Sequence, residues 1–190
     1  MPNHVRNKIV FETEEDFNAA LELLWNKEEN RVDFEILVPP PITMYRGDLS
    51  GTDDLHFPIN WSSWHRANWG TKWNAYDSEK LPDELAFAFS TAWSPPYSVI
   101  VAIANSLPKV NFIHAYVCEH TEYWGLEKWE DGVRVAISQD YIVSFAIVYG
   151  MEYMEDYVKE RRVDAKEYNE EFEWPPQLAE CYKLYRKDGG

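Results

Sequence analysis

Basic residues are scarce in this chain: 18 Lys and Arg stand against 33 Asp and Glu in 190 residues, a formal net charge of −15. A surface that tracks nucleic-acid phosphates needs clustered Lys and Arg, and the one dense basic run, residues 159–162, is set among acids. Direct nucleic-acid binding is therefore not expected. Cysteine is limited to Cys118 and Cys181 with no CxxC spacing, which excludes a paired-cysteine zinc module and makes a reducing compartment the default. No stretch approaches the roughly 18 apolar residues of a membrane span, and the segment MPNHVRNK holds no apolar run of signal-peptide length. The expectation is a soluble, cytoplasmic protein without membrane contact.

Catalytic signatures are missing too. Neither a Gly-rich phosphate loop nor a GxSxG elbow occurs. His4, His56, His65, His114 and His120 never pair at HxH or HxxxH spacing, and none is followed two residues later by Thr or Ser, as two-histidine phosphodiesterases require. Cys118 and His120 are expected on one face of a strand, but two ligands are too few for a metal. No catalytic residue, metal or cofactor is predicted.

What the chain does have is aromatic weight: 45% hydrophobic and 16% aromatic residues place it well inside the folded regime. Five of its nine tryptophans, Trp61, Trp64, Trp69, Trp73 and Trp93, fall within residues 60–96, interleaved with Asn, Ser, Thr, Lys and Gly. Two readings compete. As an interaction surface Trp61, Trp64, Trp69 and Trp73 carry the weight tryptophan has in binding hot spots; as an irregular cap on a sheet their indole N–H groups are satisfied by Asn60, Asn68, Asn74 or backbone.

Along the chain, residues 8–12 suit a strand, and Thr13 with Asp16 forms a capping box. Phe17, Ala20, Leu21, Leu24 and Trp25 then give the stripe of an amphipathic helix. Residues 32–38 read as a second strand, stopped by Pro39, Pro40 and Pro41, and residues 42–58 as a turn-rich insertion. Residues 85–93 alternate strictly, with Leu85, Phe87, Phe89, Thr91 and Trp93 opposite Ala86, Ala88, Ser90 and Ala92. Pro95 and Pro96 open a helix with Ile100, Ile103, Ala104 and Leu107 on one stripe. Residues 110–120 form another strand, with Ile113, Ala115 and Val117 opposite Phe112, His114, Tyr116 and Cys118.

The order strand, helix, strand, strand, helix, strand is the ferredoxin-like βαββαβ pattern, an α+β fold with an antiparallel sheet and both helices on one face. Residues 1–130 form this domain with an insertion at about 39–80, and residues 131–190 a C-terminal strand and helix extension packed on it. The face away from the helices is expected to carry Phe87, Phe89, Trp93, Phe112 and Tyr116. That patch is large enough to need cover from the insertion and the C-terminal segment, or from a partner. Its aromatics superficially suit base stacking, which the charge opposes. Residues 132–137 read as a strand; 141–149 fit a strand or a buried helix. Residues 151–168 and 177–187 are helix-like.

The N-terminal MPN with Asn7, the segments NWGTKWNAYD (68–77) and FSTAWSPP (89–96), and Tyr116, Glu119 and Gly125 in AYVCEHTEYWG together resemble the YubB-like family of phage and plasmid proteins. The resemblance covers residues 1–125. Family members carry Trp and Cys where this chain has His4 and Val5. It implies a ferredoxin-like fold and a mobile-element origin, and brings no catalytic residues. The function expected from these features is a non-enzymatic phage or plasmid accessory protein, monomer or homodimer. It would bind and inhibit a host nucleic-acid-handling defence protein in the manner of an anti-CRISPR or anti-restriction factor, with carboxylates standing where phosphates would. The candidate partner-binding residues are Asp53, Asp54, Trp61, Trp64, Trp69, Trp73, Glu152, Glu155, Asp156, Glu170, Glu171 and Glu173. The alternative is a small-molecule or peptide-binding module, hydrolytic or not, with its pocket at the tryptophan-rich insertion and His65, Asp77 and Glu119 as its polar groups.

Overall fold

The computed structural model describes residues 3–50, 52, 56–120, 123–139 and 141–150. Strand β1 is His4–Phe11, and Thr13 caps helix α1, Glu14–Leu24, its hydroxyl accepting from the Asp16 N–H at 3.1 Å. Phe17, Ala20 and Leu24 are the helix residues that bury.

The strand expected at residues 32–38 does not form beyond Val32. Trp25–Asn26 (β2) and Arg31–Val32 (β3) make a two-stranded ribbon, and the chain then turns into a short helix, α2, Phe34–Leu37. The cause is local capping: one Asp33 carboxylate oxygen accepts from the Glu35 N–H at 3.0 Å and from Asn74 Nδ2 at 2.7 Å. Asn74 Oδ1 in turn accepts from the Phe34 N–H at 2.9 Å. Phe34 is fully buried, edge-on to Trp69 and Phe89. These bonds and one buried ring outweigh a β-like pattern.

After α3, Trp61–Asn68, the second strand of the motif is β4, Tyr76–Leu81. β5 is Ala86–Ala92, α4 is Tyr97–Ser106 and β6 is Phe112–Cys118. A hairpin pair, β7 (Trp124–Glu130) and β8 (Val133–Ser138), widens the sheet, and α5 is Tyr141–Tyr149. The strand order is β4-β5-β1-β6-β7-β8 with every pair antiparallel. Its first four strands have the ferredoxin-like arrangement. The β7–β8 turn is Asp131–Gly132, both at positive φ (49° and 74°), the two-residue turn that matches strand twist.

The assignment of faces in the sequence reading is reversed. Phe87, Phe89 and Phe112 face α1 and α4, forming one core with Ile9, Phe11, Phe17, Ile100, Ile103 and Trp129. Tyr116, paired with Asn7, lies on that same face, and Trp93 sits beyond the end of β5. Helices bearing small residues such as Ala20 and Ala104 leave depth that aromatic rings fill. The other face presents Val10, Ala86, Ile113, Ala115, Val117 and Leu126, shallow enough for α5 to lie directly on it with Val143, Ile147 and Val148. Among the described residues the cover is thus α5 and not the tryptophan-rich insertion.

Candidate functional site

The tryptophan-rich stretch divides into two halves with different jobs. Asn60 caps α3, its side-chain oxygen accepting from the Ser63 N–H at 3.0 Å, and the helix turns Trp64 toward the core. Trp69 is fully buried, with Trp64 edge-on to it and the His65 ring stacked on it at 4.0 Å between centroids. Its indole N–H donates to the Val38 carbonyl at 2.9 Å. Trp64 and Trp69 are therefore packing residues. His65 donates from Nδ1 to the Lys72 carbonyl at 3.0 Å, and burial holds its pKa below the ordinary 6.5, the Lys72 carbonyl opposing.

Trp61, Trp73 and Trp93 go the other way. Trp73 is 37% exposed and Trp93 44%. All three lie around one atom: Lys72 Nζ sits 4.2 Å from the Trp93 ring, 5.2 Å from Trp73 and 5.9 Å from Trp61. The backbone that presents Lys72 is tied to the end of β5. Its N–H donates to the Ala92 carbonyl at 3.4 Å, and the neighbouring Thr71 hydroxyl reaches the same carbonyl at 2.8 Å. Gly70 (φ 81°) lets this loop lie against the start of α4, where a Cβ would meet the Tyr97 nitrogen at 3.2 Å. Trp93 itself has φ 72°, a left-handed conformation costly for a bulky residue. Its N–H donates to the Asn3 carbonyl and its carbonyl accepts from the Tyr123 hydroxyl. Trp61 is held by an indole N–H bond to the Gly47 carbonyl at 3.0 Å. Tyr76 extends the surface, edge-on to Trp73 and to His4. Its hydroxyl pKa is pushed up to about 12 by burial and by the Asp77 and Glu119 charges.

Under this surface a polar chain that the sequence reading missed crosses the sheet. The Thr91 hydroxyl donates to the Ser94 carbonyl at 2.8 Å and accepts from Asn7 Nδ2 at 3.0 Å. Asn7 Oδ1 is 3.1 Å from His114 Nε2, which must carry the proton because the amide nitrogen is committed to Thr91 and the Val5 carbonyl. His114 Nδ1 faces Glu127 Oε2 at 3.8 Å, and Arg134 donates to Glu127 Oε1 at 2.9 Å. Thr91, Asn7, His114 and Glu127 are all buried. Burial pushes the Glu127 carboxyl up, but His114 and Arg134 outweigh it and hold its pKa below the ordinary value. Tyr116 lies over Gly125, where a Cβ would strike its hydroxyl at 2.5 Å. The signal available in sequence was polar Asn7 and His114 at core-face positions of two alternating strands; Glu127 was hidden because β7 was not recognised.

Of the predicted site residues, half-buried Trp61 and exposed Trp73 both lie around Lys72, and Trp64 and Trp69 do not join them. Asp53, Asp54, Glu152, Glu155, Asp156, Glu170, Glu171 and Glu173 lie outside the described residues, as do the helices predicted at 151–168 and 177–187. His65, Asp77 and Glu119 do not converge: Arg6 donates to the Asp77 carbonyl, Glu119 accepts from the His4 N–H, and His65 reaches Lys72. Cys118 is a buried free thiol at the end of β6, while His120 stands in the following turn beside Glu119, so they share no strand face. Among the described residues no cluster suits a metal ion, and no helix is long and apolar enough to cross a membrane.

A family model described as a ferredoxin-like domain in Api92-like protein matches residues 68–173, more than half of the chain and well past residue 125. No curated protein and no solved structure matches.

Proposed function

The chain belongs to the family of ferredoxin-like domains in Api92-like proteins, and from this premise we propose that it is a non-enzymatic accessory protein of a phage or plasmid. In this reading it binds and inhibits a host nucleic-acid-handling defence protein. The observation that carries the binding role is the set Trp61, Trp73 and Trp93 around Lys72, of which Trp73 and Trp93 are exposed and Trp61 and Trp93 are tied in place by hydrogen bonds. A rigid aromatic surface is the usual anchor of a protein interface. A charge of −15 adds electrostatic steering toward basic partners, which proteins that handle nucleic acid are. Mobile-element origin rests on the resemblance of the NWGTKWNAYD and FSTAWSPP segments to phage and plasmid proteins.

The test is affinity capture from host lysate with the full chain, washed at low and then high salt. Grouped reversals to Lys of Asp53 with Asp54, of Glu152, Glu155 and Asp156, and of Glu170, Glu171 and Glu173 accompany the native protein. One stoichiometric nucleic-acid-binding partner, released by salt and lost in at least one reversal, is the expected result. A partner whose retention is indifferent to both salt and reversal would contradict the acidic-surface reading.

A further inference from the structure

Lys72 is an unusual lysine for this molecule. The chain carries almost twice as many acids as bases, yet among the described residues no carboxylate pairs with its ammonium, which lies instead within 6 Å of three indole rings at once. Single cation–π contacts are common in proteins; three rings converging on one ammonium form the kind of aromatic cage that recognises alkylammonium groups. The cage is also built at a cost. Trp93 reaches it only from a left-handed backbone, a strain of the sort that persists where a side chain is needed in place. Core packing offers no reason for that placement, since Trp93 is 44% exposed.

We propose that Trp61, Trp73 and Trp93 form a recognition cage for an alkylammonium group of a partner protein, a lysine side chain, and that Lys72 is the internal occupant it displaces. This rests on, and sharpens, the partner-binding reading given above. Lys72 keeps the cage formed and its rings apart in the free protein. An incoming lysine exchanges with it, and the released Lys72 ammonium moves out into water. Exchange explains how a cage already filled still binds: the cation–π contacts made by the newcomer replace those lost, and the released Lys72 ammonium regains its hydration. Charge complementarity sets the sign of the ligand, because an acidic molecule draws basic partners.

Tetramethylammonium is the probe, since a quaternary ammonium is weakly hydrated and suits an aromatic cage. The indole N–H signals of nitrogen-15-labelled full-length protein are followed by NMR as tetramethylammonium chloride is added, against sodium chloride at equal ionic strength. In the Lys72→Met protein the Trp61, Trp73 and Trp93 signals should shift saturably, about tenfold more tightly than in the native protein, the worth of one displaced cation–π contact. Trp64 and Trp69 should stay still. Lys72→Gln serves if Lys72→Met does not fold, and Trp93→Gly should abolish the response. Absence of a saturable shift in both the native and Lys72-substituted proteins overturns the cage. Partner capture supplies the second arm: at concentrations below those at which sodium chloride releases the partner, tetramethylammonium chloride should already release it. If salt of either kind releases it equally, the partner-binding reading stands and the cage proposal falls.

Discussion

At the scale of single residues, the two populations of tryptophan should respond oppositely to substitution. Trp69→Ala removes a fully buried ring from contact with Phe34 and Trp64 and should cost about 3–5 kcal/mol in urea unfolding. Trp93→Gly relieves a left-handed backbone and should be about 1 kcal/mol more stable than Trp93→Ala. In the buried polar chain, Asn7→Ala leaves His114 Nε2 without its acceptor and Thr91 without its donor, and about 3 kcal/mol of stability should be lost. The pH profile has two limbs. His65 has a folded pKa below the ordinary 6.5, so the unfolded chain takes up protons first and stability should fall as pH drops through and below that value. Asp33 is also held low: burial pushes its carboxyl up, but hydrogen bonds from Asn26, Asn74 and the Glu35 N–H and the Arg31 charge outweigh it. Asp33 and Glu127 stabilise fully above the ordinary carboxylate range, and that contribution disappears as pH falls through their depressed folded values. Thermal unfolding scanned from neutral to acid pH should show both limbs. His65→Gln should flatten the upper one and Glu127→Gln part of the lower; unchanged profiles would refute these assignments.

At the scale of elements, α5 is what makes the sheet two-sided. Val143, Ile147 and Val148 are buried against Ala86, Ile113, Ala115 and Leu126, so Ile147→Asp should free the helix from the sheet and expose an apolar face. The expected result is a lower melting temperature together with new binding of a hydrophobic dye; a native-like melt without dye binding would show that α5 contributes little. The same elements show what the sequence could and could not say. Thr13 with Asp16, the Phe17–Ala20–Leu24 stripe and the alternation at 86–92 and 112–118 each follow a local rule, and each is found in the structure. The strand expected at 32–38 failed because Asn74, remote in sequence, bonds to Asp33 and to the Phe34 N–H, a long-range bond that no local pattern encodes. β4 was missed because it is a polar edge strand, with Asp77, Glu79 and Lys80 exposed. The sheet faces were exchanged because alternation gives two faces without saying which one the helices cover, and aromatic bulk was a misleading guide. For the candidate site, sequence density alone marked Trp61 and Trp73. Only the fold adds Trp93, and only the loop at Gly70–Thr71 explains why all three meet at Lys72.

At the scale of the whole molecule, a charge of −15 gives the protein a field that reaches only about 8–10 Å at physiological ionic strength. Salt should therefore slow association with a basic partner more than it speeds dissociation, a split that surface plasmon resonance at two salt concentrations would measure. The tryptophan cage should govern dissociation instead, since short-range packing sets residence time. The most direct single measurement compares Trp69→Ala with Trp93→Gly, each assayed for melting temperature and for retention of the captured host partner. Trp69→Ala should melt well below the native protein. Trp93→Gly should melt at or above it and yet release the partner. A Trp93→Gly protein that melts early, or that keeps the partner with native affinity, would contradict the division of this stretch into a packing half and a binding half.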